Sequence, residues 1–458
     1  MKASLDNSFA QLPPGMFTKL NPTPVKAPAL IATNAPLAAE IGVALDDDDL
    51  QHFAGNVVPE GASPLAQLYA GHQFGNWNPQ LGDGRAILLG EVMQGDQRRD
   101  IQLKGSGHTP YSRGGDGRAW LGPVLREYVM SEAMHALGIP TTRALAAVTT
   151  GEDVYRETVL PGAILTRVAR SHIRVGTFQI YAARGQIDLI QALCDYTIDR
   201  HYPDAEGPAG LLDAVIAAQA KLIAQWMGVG FIHGVMNTDN ASVAGETIDY
   251  GPCAFMDSFA AGRVFSSIDQ FGRYAYQNQP QIGAWNMAQL ATSLLPLMPN
   301  QDQAIEDFTK AVNGMIPLYE AAWRDVFGKK LGISNMSEED VPLVSELLAL
   351  MEKDQADFTR VFADLDTARD QFLDREAFDD WQRRWSFRRN ADPVNPQIIL
   401  RNHQVEAMIT AAVDGDFAPF HALLAAATDP YAPLNDATKV YAAPPTEEEQ
   451  VTRTFCGT

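Results

Sequence analysis

The order of two hydrophobic patterns along the chain constrains its fold more than any other sequence feature. Up to about residue 180, apolar residues fall in short, β-type runs separated by glycine-rich loops. From about residue 186, apolar residues recur at helical spacing, at 189–200, 211–227, 286–297, 301–326, 338–365, 374–389 and 404–426. The sequence therefore predicts an α+β, two-lobed protein. An N-terminal extension and a strand-rich lobe occupy 1–180, and a helical lobe with extra C-terminal helices and a cysteine-containing tail occupies 181–458.

Composition excludes several classes of partner. Lys and Arg total 35 residues against 56 Asp and Glu, which gives the 458-residue chain a formal net charge of −21. So acidic a chain is unsuited to nucleic acid or anionic membranes, and neither is expected as a partner. The N-terminus lacks an apolar leader, no apolar run is expected to span a bilayer, and three cysteines are too few for a disulfide scaffold. We therefore expect a cytoplasmic monomer.

The most informative stretch is FIHGVMNTDNASVAGETIDYGP, at 231–252. A tight turn at 245–246 between two short β-branched runs predicts a β-hairpin. The hairpin would place Asn240 beside Asp249. An amide oxygen and a carboxylate held together suit a hard divalent cation, Mg²⁺ or Mn²⁺, that also carries phosphate oxygens. Asp239 directly precedes Asn240 and is available as a base or to position water.

A glycine-containing turn further upstream has features of a phosphate-binding loop. In QLGDGR, Gly82 and Gly84 precede a β-type apolar run, so the turn is predicted to lead into a strand. Glycines let backbone amides approach a phosphate, and Arg85 is able to pair with it. An ordinary hairpin turn would have the same two glycines, so the sequence leaves both interpretations open.

Basic residues form two clusters that stand out in so acidic a chain. Lys104 ends a predicted strand, and the polar, glycine-rich loop that follows it carries Arg113 and Arg118. Arg167 and Arg174 lie in a later strand-to-loop segment. These cations favour a polyanionic ligand such as a nucleoside triphosphate. Surface ion pairs with the many acidic residues are the competing explanation.

A predicted helix supplies a partner for Lys104. Residues 122–137 have apolar residues at helical spacing and end before Gly138. Glu127 or Glu132 on this helix is able to pair with Lys104. We favour Glu127, because it lies nearer the loop that leads from Lys104.

The stretch that contains Asp239 resembles the catalytic and metal loops of protein kinases, whose patterns are His-Arg-Asp-x-x-x-x-Asn and Asp-Phe-Gly. With the kinase His laid on His233, the kinase Asn falls on Asn240 and the metal-binding Asp on Asp249. The kinase base falls on Val235, which cannot accept a proton. Conventional phosphotransfer is therefore disfavoured, while Asp239 is available for the same task.

Four parts of the chain, at 81–92, 100–138, 166–177 and 231–252, resemble the selenoprotein O (SelO/YdiU) family. The motifs that carry the resemblance are QLKGSG, YSRGGDGR and HGVMNTDN. The resemblance implies a protein-kinase-like fold that binds ATP in a flipped orientation. It also implies a protein adenylyltransferase, which transfers AMP to Ser, Thr or Tyr hydroxyls of protein substrates.

The resemblance also assigns roles to individual residues. The family's nucleotide-binding positions correspond to Gly82, Gly84, Arg85, Lys104, Asp116, Gly117, Arg167, Arg174 and Asp249. Its proton acceptor corresponds to Asp239, its metal ligands to Asn240 and Asp249, and its helix glutamate to Glu127. A flipped nucleotide would present its α-phosphate to the metal and the acceptor hydroxyl, with its γ-phosphate toward the basic residues.

Family members carry a cysteine or selenocysteine near the C-terminus, where this chain has Cys456. We hypothesise a regulatory disulfide between Cys253 and Cys456, against the alternative of two unrelated thiols. A function of a different class also stays open, that of a catalytically silent, ATP-binding pseudokinase acting as a redox-regulated scaffold. The presence of Asp239, Asn240 and Asp249 favours the enzyme, because a scaffold needs no metal site.

Overall fold

A large antiparallel sheet dominates the first part of this computed structural model, which describes residues 4–46 and 49–455. The strands are β1 (Phe17–Lys19), β2 (Ala29–Thr33), β3 (Leu65–Gln67), β4 (Gly71–Gln73), β5 (Asn76–Asn78), β6 (Ala86–Gln94), β7 (Gln97–Lys104), β8 (Ala119–Trp120), β9 (Arg143–Tyr155), β10 (Val159–Ala169), β11 (Phe231–Ile232) and β12 (Ala254–Phe255). The sheet has the order β1-β3-β6-β7-β10-β9-β2, and β8 pairs with β10. β4 with β5 and β11 with β12 form two small separate ladders.

Helices make up most of the chain after the sheet. They are α1 (Ala35–Glu40), α2 (Asp49–Phe53), α3 (Leu121–Ala136), α4 (Val175–Ala183), α5 (Ile187–His201), α6 (Gly207–Gly228), α7 (Gln279–Leu294), α8 (Gln301–Asn313), α9 (Met315–Leu331), α10 (Val341–Asp354), α11 (Phe358–Ala363), α12 (Arg375–Arg388), α13 (Asn402–Val413), α14 (Ala418–Ala427) and α15 (Lys439–Ala442). The predicted mixture of a strand-rich sheet and many helices is confirmed.

The register of the sheet brings polar side chains together on one face of its central strands. Gln102 of β7 lies opposite Arg167 of β10. Because side chains alternate along a strand, Lys104 shares the face of Gln102, while Ile101 and Leu103 point the other way. Those two apolar residues are fully buried in a small core beneath α1 and α2. The second face of the sheet, which carries Gln102 and Lys104, is therefore the one on which charged residues lie.

The second face of the sheet is covered by α3, whose apolar side chains join the main core. That core continues into the helical part, where α6 packs against α5, α7 and α9. α6 is, among the described residues, the one helix long and apolar enough to cross a membrane by length and composition alone. The expectation that no run would reach that length was wrong. Half of the apolar window of α6 is nevertheless buried within the protein, as in a core helix.

Three predicted long helices are each divided in two. The helix expected at 301–326 is interrupted at Gly314. Those expected at 338–365 and 404–426 break at Gln355 and Gly415, which both have positive φ. α4 was not predicted, and it runs across residue 180, the expected lobe boundary. The division into units of 1–180 and 181–458 stays a prediction.

Candidate active site

Lys104 and Arg167 are held side by side by groups on three different elements. Lys104 Nζ pairs with Glu127 of α3, as predicted. The second oxygen of Glu127 lies 3.1 Å from Arg167 Nη1. Arg167 Nε and Nη2 donate to Gln102 Oε1 over 3.2 and 2.7 Å, within the strand register described above. Because Arg167 is only 2% exposed, these partners are what allow a guanidinium to be buried here.

Asp249 is the point at which the cations of the site converge. Its Oδ1 lies 2.9 Å from both Lys104 Nζ and Arg167 Nη1, and its Oδ2 pairs with Arg174 Nη1. Burial alone would raise the pKa of Asp249, but the charges of Lys104, Arg174 and Arg167 hold it well below its usual value. The residue also has a φ of +63°, a conformation that costs energy for a residue with a Cβ. Such strain is common at functional sites.

Asp239 lies in the short 3₁₀-helix Thr238–Asn240, and its carboxylate makes no ion pair with another described residue. It is 7% exposed, and its Oδ2 accepts a 2.9 Å hydrogen bond from Gln73 Nε2. Its Oδ1 is buried without a hydrogen-bond partner among the described residues. Burial raises the pKa of Asp239 to about 6, although the Gln73 hydrogen bond opposes that shift. A carboxylate in this state is suited to proton transfer near neutral pH.

One guanidinium joins the two aspartates. Arg174 Nη1 donates to the main-chain oxygen of Asp239 over 2.6 Å and also pairs with Asp249. Arg174 Cζ lies 4.9 Å from the ring centre of Tyr69, which packs against the guanidinium as a cation–π partner. The loop that carries the candidate base is therefore tied directly to the cation cluster.

The predicted β-hairpin at 241–249 is absent. Residues 242–245 form a turn, but the two arms pair with neighbouring segments, Ser242 with Arg174 and Thr247 with Thr141. The side chain of Glu246 is also engaged elsewhere, because its Oε2 accepts from the main-chain nitrogen of Arg170 over 2.9 Å. The main-chain groups of the two arms are therefore used by neighbouring segments instead of by each other. Arg174 nonetheless links the two ends of this segment, because it contacts Asp249 and also Asp239, the residue before Asn240.

The donor set for a divalent cation fits the residues that are present. The amide nitrogen of Asn240 donates to the Val235 carbonyl over 2.9 Å, which leaves its Oδ1 as the atom able to coordinate a cation. Asp249 is ionised, and its side chain is 21% exposed. Residues 4–46 and 49–455 contain no group of three or more His, Cys, Asp or Glu able to hold a metal. A site of one amide and one carboxylate, completed by phosphate oxygens, is of a different kind.

The glycine turn before β6 packs closely against the loop that follows Lys104. A Cβ on Gly82 would lie 2.6 Å from the Tyr111 ring, and one on Gly84 would lie 2.7 Å from the Tyr111 carbonyl oxygen. Arg85 accepts a main-chain hydrogen bond of 2.7 Å from Gly105, so it lies beside the residue that follows Lys104. Its guanidinium has no ion pair or hydrogen bond within the described part of the chain, which leaves it available to a ligand.

Asp116 and Gly117 lie at the outer edge of this group. Gly117 has a positive φ, and a Cβ there would lie 2.1 Å from the Gly107 carbonyl oxygen, so only glycine fits. The exposed Asp116 carboxylate pairs with both terminal nitrogens of Arg156, at 2.9 and 3.0 Å. Arg118, in the same loop, donates to two backbone carbonyls and pairs with Glu152.

Three supporting residues were missed from the sequence. Gln102 orients Arg167, Gln73 holds Asp239, and Tyr69 lies beneath Arg174. The alternation of β7 was a signal for Gln102, since it shares a face with Lys104. Gln73 and Tyr69 are distant in sequence from their partners, and no local pattern identifies them.

The C-terminal tail returns to the segment that follows Asp249. Thr454 pairs in parallel with Ser266, and its Oγ1 donates to the Pro252 carbonyl. Cys253, the next residue, is fully buried. Cys456 lies outside the described residues, so its disulfide with Cys253 stays a prediction.

Comparison with known proteins agrees with the resemblance read from the motifs. Residues 1–381 match the family described as Protein adenylyltransferase SelO. The chain is 61% identical over 469 residues to the Protein nucleotidyltransferase YdiU of Roseobacter denitrificans, covering 100% of this chain and 99% of that protein. Proteins of the same name from Ruegeria pomeroyi and Jannaschia sp. are 60% and 58% identical, each covering 99% of this chain and 98% of the relative. The chain belongs to the SelO family of protein adenylyltransferases.

Proposed function

We propose that this enzyme transfers AMP from ATP to Ser, Thr or Tyr hydroxyls of protein substrates. Its family and the names of its relatives support a protein nucleotidyltransferase. The observation that carries the proposal is the convergence of Lys104, Arg167 and Arg174 on Asp249, together with the hydrogen bond from Arg174 to the main-chain oxygen of Asp239, whose carboxylate is buried. Such a cation cluster suits a polyphosphate, and a neighbouring base suits an acceptor hydroxyl.

The proposed architecture is protein-kinase-like, with a strand-rich lobe at 1–180 and a helical lobe at 181–458. The Lys104–Glu127 pair supports it, because kinases join a lysine on their third strand to a glutamate on a helix in this way. Asn240 and Asp249 are the counterparts of the kinase metal ligands. Arg174 contacts Asp249 and also Asp239, the residue before Asn240.

The chemistry follows from the different surroundings of the two aspartates. The acceptor oxygen attacks the α-phosphorus of ATP while Asp239 takes the hydroxyl proton. The bond between the α-phosphorus and the bridging oxygen breaks, and pyrophosphate leaves with that electron pair. Lys104, Arg167 and Arg174 bind the outer phosphates and stabilise the charge that develops on the leaving group. This arrangement requires the nucleotide to lie flipped relative to its orientation in kinases.

The remaining family positions complete nucleotide binding in this proposal. Gly82, Gly84 and Gly117 allow the loops around the nucleotide to pack closely, and Arg85 supplies a further cation. Asp116 contributes to nucleotide binding from the outer edge of this group of residues. When bound by Asn240 and Asp249, Mg²⁺ or Mn²⁺ would supply positive charge beside the α-phosphate.

Parallel incubations with α- and γ-³²P-ATP test the proposal against its alternatives. Adenylyl transfer labels protein from the α-position only, and phosphotransfer labels it from the γ-position only. A silent ATP-binding scaffold gives neither label. Label from the γ-position alone, or from neither, would refute the proposal.

Redox control by the tail is a second part of the proposal. The contacts of Thr454 with Pro252 and Ser266 bring the described end of the tail next to Cys253. A Cys253–Cys456 disulfide would fasten the tail there and change activity with redox state. Non-reducing peptide mapping of oxidised protein should find the linked pair, and its consistent absence would remove the disulfide.

A further inference from the structure

The small β4–β5 ladder lies directly over the loop that carries Asp239. The main-chain nitrogen of His72 donates to Thr238 Oγ1 over 2.7 Å, and that of Phe74 donates to Asn237 Oδ1 over 3.0 Å. A Cβ on Gly71 would lie 2.7 Å from Asp239 Oδ1, so the ladder approaches the carboxylate itself. Hydrogen bonds from its main-chain nitrogens to side chains of the base loop thus fix the position of this ladder.

Within this ladder, two amide side chains form a chain of hydrogen bonds that ends on the base. Asn78 Nδ2 donates to Gln73 Oε1 over 2.8 Å, and Gln73 Nε2 donates to Asp239 Oδ2 over 2.9 Å. Because Asn78 occupies the oxygen of Gln73, the amide nitrogen of Gln73 has to face Asp239. The orientation of the donor is therefore set by a second residue.

The hydrogen bond to Oδ2 distinguishes the two oxygens of the carboxylate. Oδ1 is buried and has no partner among the described residues, and it faces Gly71 at the edge of the ladder. Because Oδ2 already accepts a hydrogen bond and Oδ1 accepts none among the described residues, Oδ1 keeps both of its lone pairs for a new proton. A buried acceptor atom without a partner calls for an explanation, and a catalytic role is one that fits a carboxylate at this position.

We propose that Gln73, oriented by Asn78, is a positioning residue for adenylyl transfer, which holds Asp239 so that Oδ1 receives the proton of the acceptor hydroxyl. The inference rests on the proposed function, since it concerns the same base. It assigns the β4–β5 ladder to the acceptor side of the site, away from the cations that surround Asp249.

The test is the steady-state kinetics of Gln73→Leu, a substitution of similar size that removes the donor. We expect kcat for transfer of α-³²P label to fall about 10- to 100-fold, the loss of one hydrogen bond to a charged group. The KM for ATP should stay within about 2-fold, because Gln73 does not contact the cation cluster. Asn76→Ala, on the exposed edge of the same ladder, is the matched control and should leave both parameters unchanged.

A double-mutant cycle separates positioning from general damage to the fold. Asn78→Ala alone should lower kcat by a smaller factor, and it should add nothing in the Gln73→Leu background, because Asn78 acts only through Gln73. If Gln73→Leu fails to fold, Asn78→Ala alone supplies the kcat and KM comparison.

Three results would overturn the inference: wild-type kcat in both variants, a KM for ATP that rises in step with the loss of kcat, or additive losses in the double variant. Absence of α-label transfer by the wild-type enzyme would instead refute the proposed function. The two failures are therefore distinguishable.

Discussion

Asp239 and Asp249 lie ten residues apart on one segment, yet their surroundings are opposite. Asp249 touches three cations, which hold its pKa well below the usual value. The carboxylate of Asp239 touches one neutral amide, and burial raises its pKa to about 6. Two carboxylates whose environments separate their pKa values are suited to different tasks. One is permanently charged for binding, and the other is able to exchange a proton.

The largest expected effects separate these tasks in activity. Asp239→Ala and Asp249→Ala should each abolish AMP transfer, a loss of roughly 10³-fold or more. Asp239→Ala should keep its affinity for ATP, whereas Asp249→Ala should change it, because only Asp249 organises the cations. α-³²P labelling together with ATP-binding titrations measures both properties. Wild-type labelling by either variant would contradict its assignment, and equal changes in ATP affinity would remove the distinction.

Stability should change with opposite sign at the two positions. Asp249→Asn leaves buried Arg167 and Arg174 without their shared anion, so we expect the free energy of unfolding to fall by about 3 kcal/mol. Asp239→Asn replaces a poorly solvated charge by a neutral amide that still accepts from Gln73, and we expect a gain of about 1 kcal/mol at pH 8. Urea denaturation of both variants provides the measurement. Losses of similar size would show that the two sites are electrostatically alike.

A smaller effect should come from pressing on Asp239 alone. Gly71→Ala would place a Cβ 2.7 Å from Asp239 Oδ1 and displace the carboxylate. We expect kcat to fall about 10-fold with unchanged affinity for ATP. Gly262→Ala is the matched control, since a Cβ there meets no atom within 4 Å and its φ is not positive. An unchanged kcat in Gly71→Ala would mean that the ladder does not constrain the base.

The smallest expected effect concerns Glu246, a second carboxyl whose pKa is raised by burial, as that of Asp239 is. Burial raises the pKa of Glu246 to about 7, above the value near 4.5 of an exposed glutamate. The folded protein therefore binds more protons than the unfolded chain between these values, and this contribution to stability falls as pH rises through that window. Glu246→Gln should remove on the order of 1 kcal/mol of the loss between pH 5.5 and 7.5. Urea denaturation across that range is the measurement, and an unchanged slope would count against burial as the cause.

The sequence predicted the elements of the cation cluster better than the loop that carries the base. Lys104, Glu127 and Arg167 lie on long regular elements, and strand alternation and helical spacing indicated those elements. The pairing of Lys104 with Glu127 was also predicted, whereas Arg167 was expected in a separate basic cluster. The prediction of a hairpin at 241–249 was wrong, because short β-branched runs are typical of any strand-like segment and do not indicate which segment it pairs with. Which partner an arm pairs with is decided by distant segments such as those of Arg174 and Thr141.

The residues on the acceptor side of the site could not be predicted from a single sequence, for a related reason. Gln73 and Asp239 are 166 residues apart, and Gln73 lies in a three-residue strand with no periodicity to reveal it. The helix breaks at Gly314, Gln355 and Gly415 were missed because apolar spacing continues through them. Family resemblance supplied roles for residues at the site, but not the amides that support them.

The fastening of Thr454 onto Pro252 and Ser266 joins positions as much as 202 residues apart in the chain. During synthesis, the segment after Asp249 cannot acquire this contact until Thr454 has been made. Chains that terminate before Thr454 therefore leave that segment unfastened, and a protease should cut them there before it cuts chains that include Thr454.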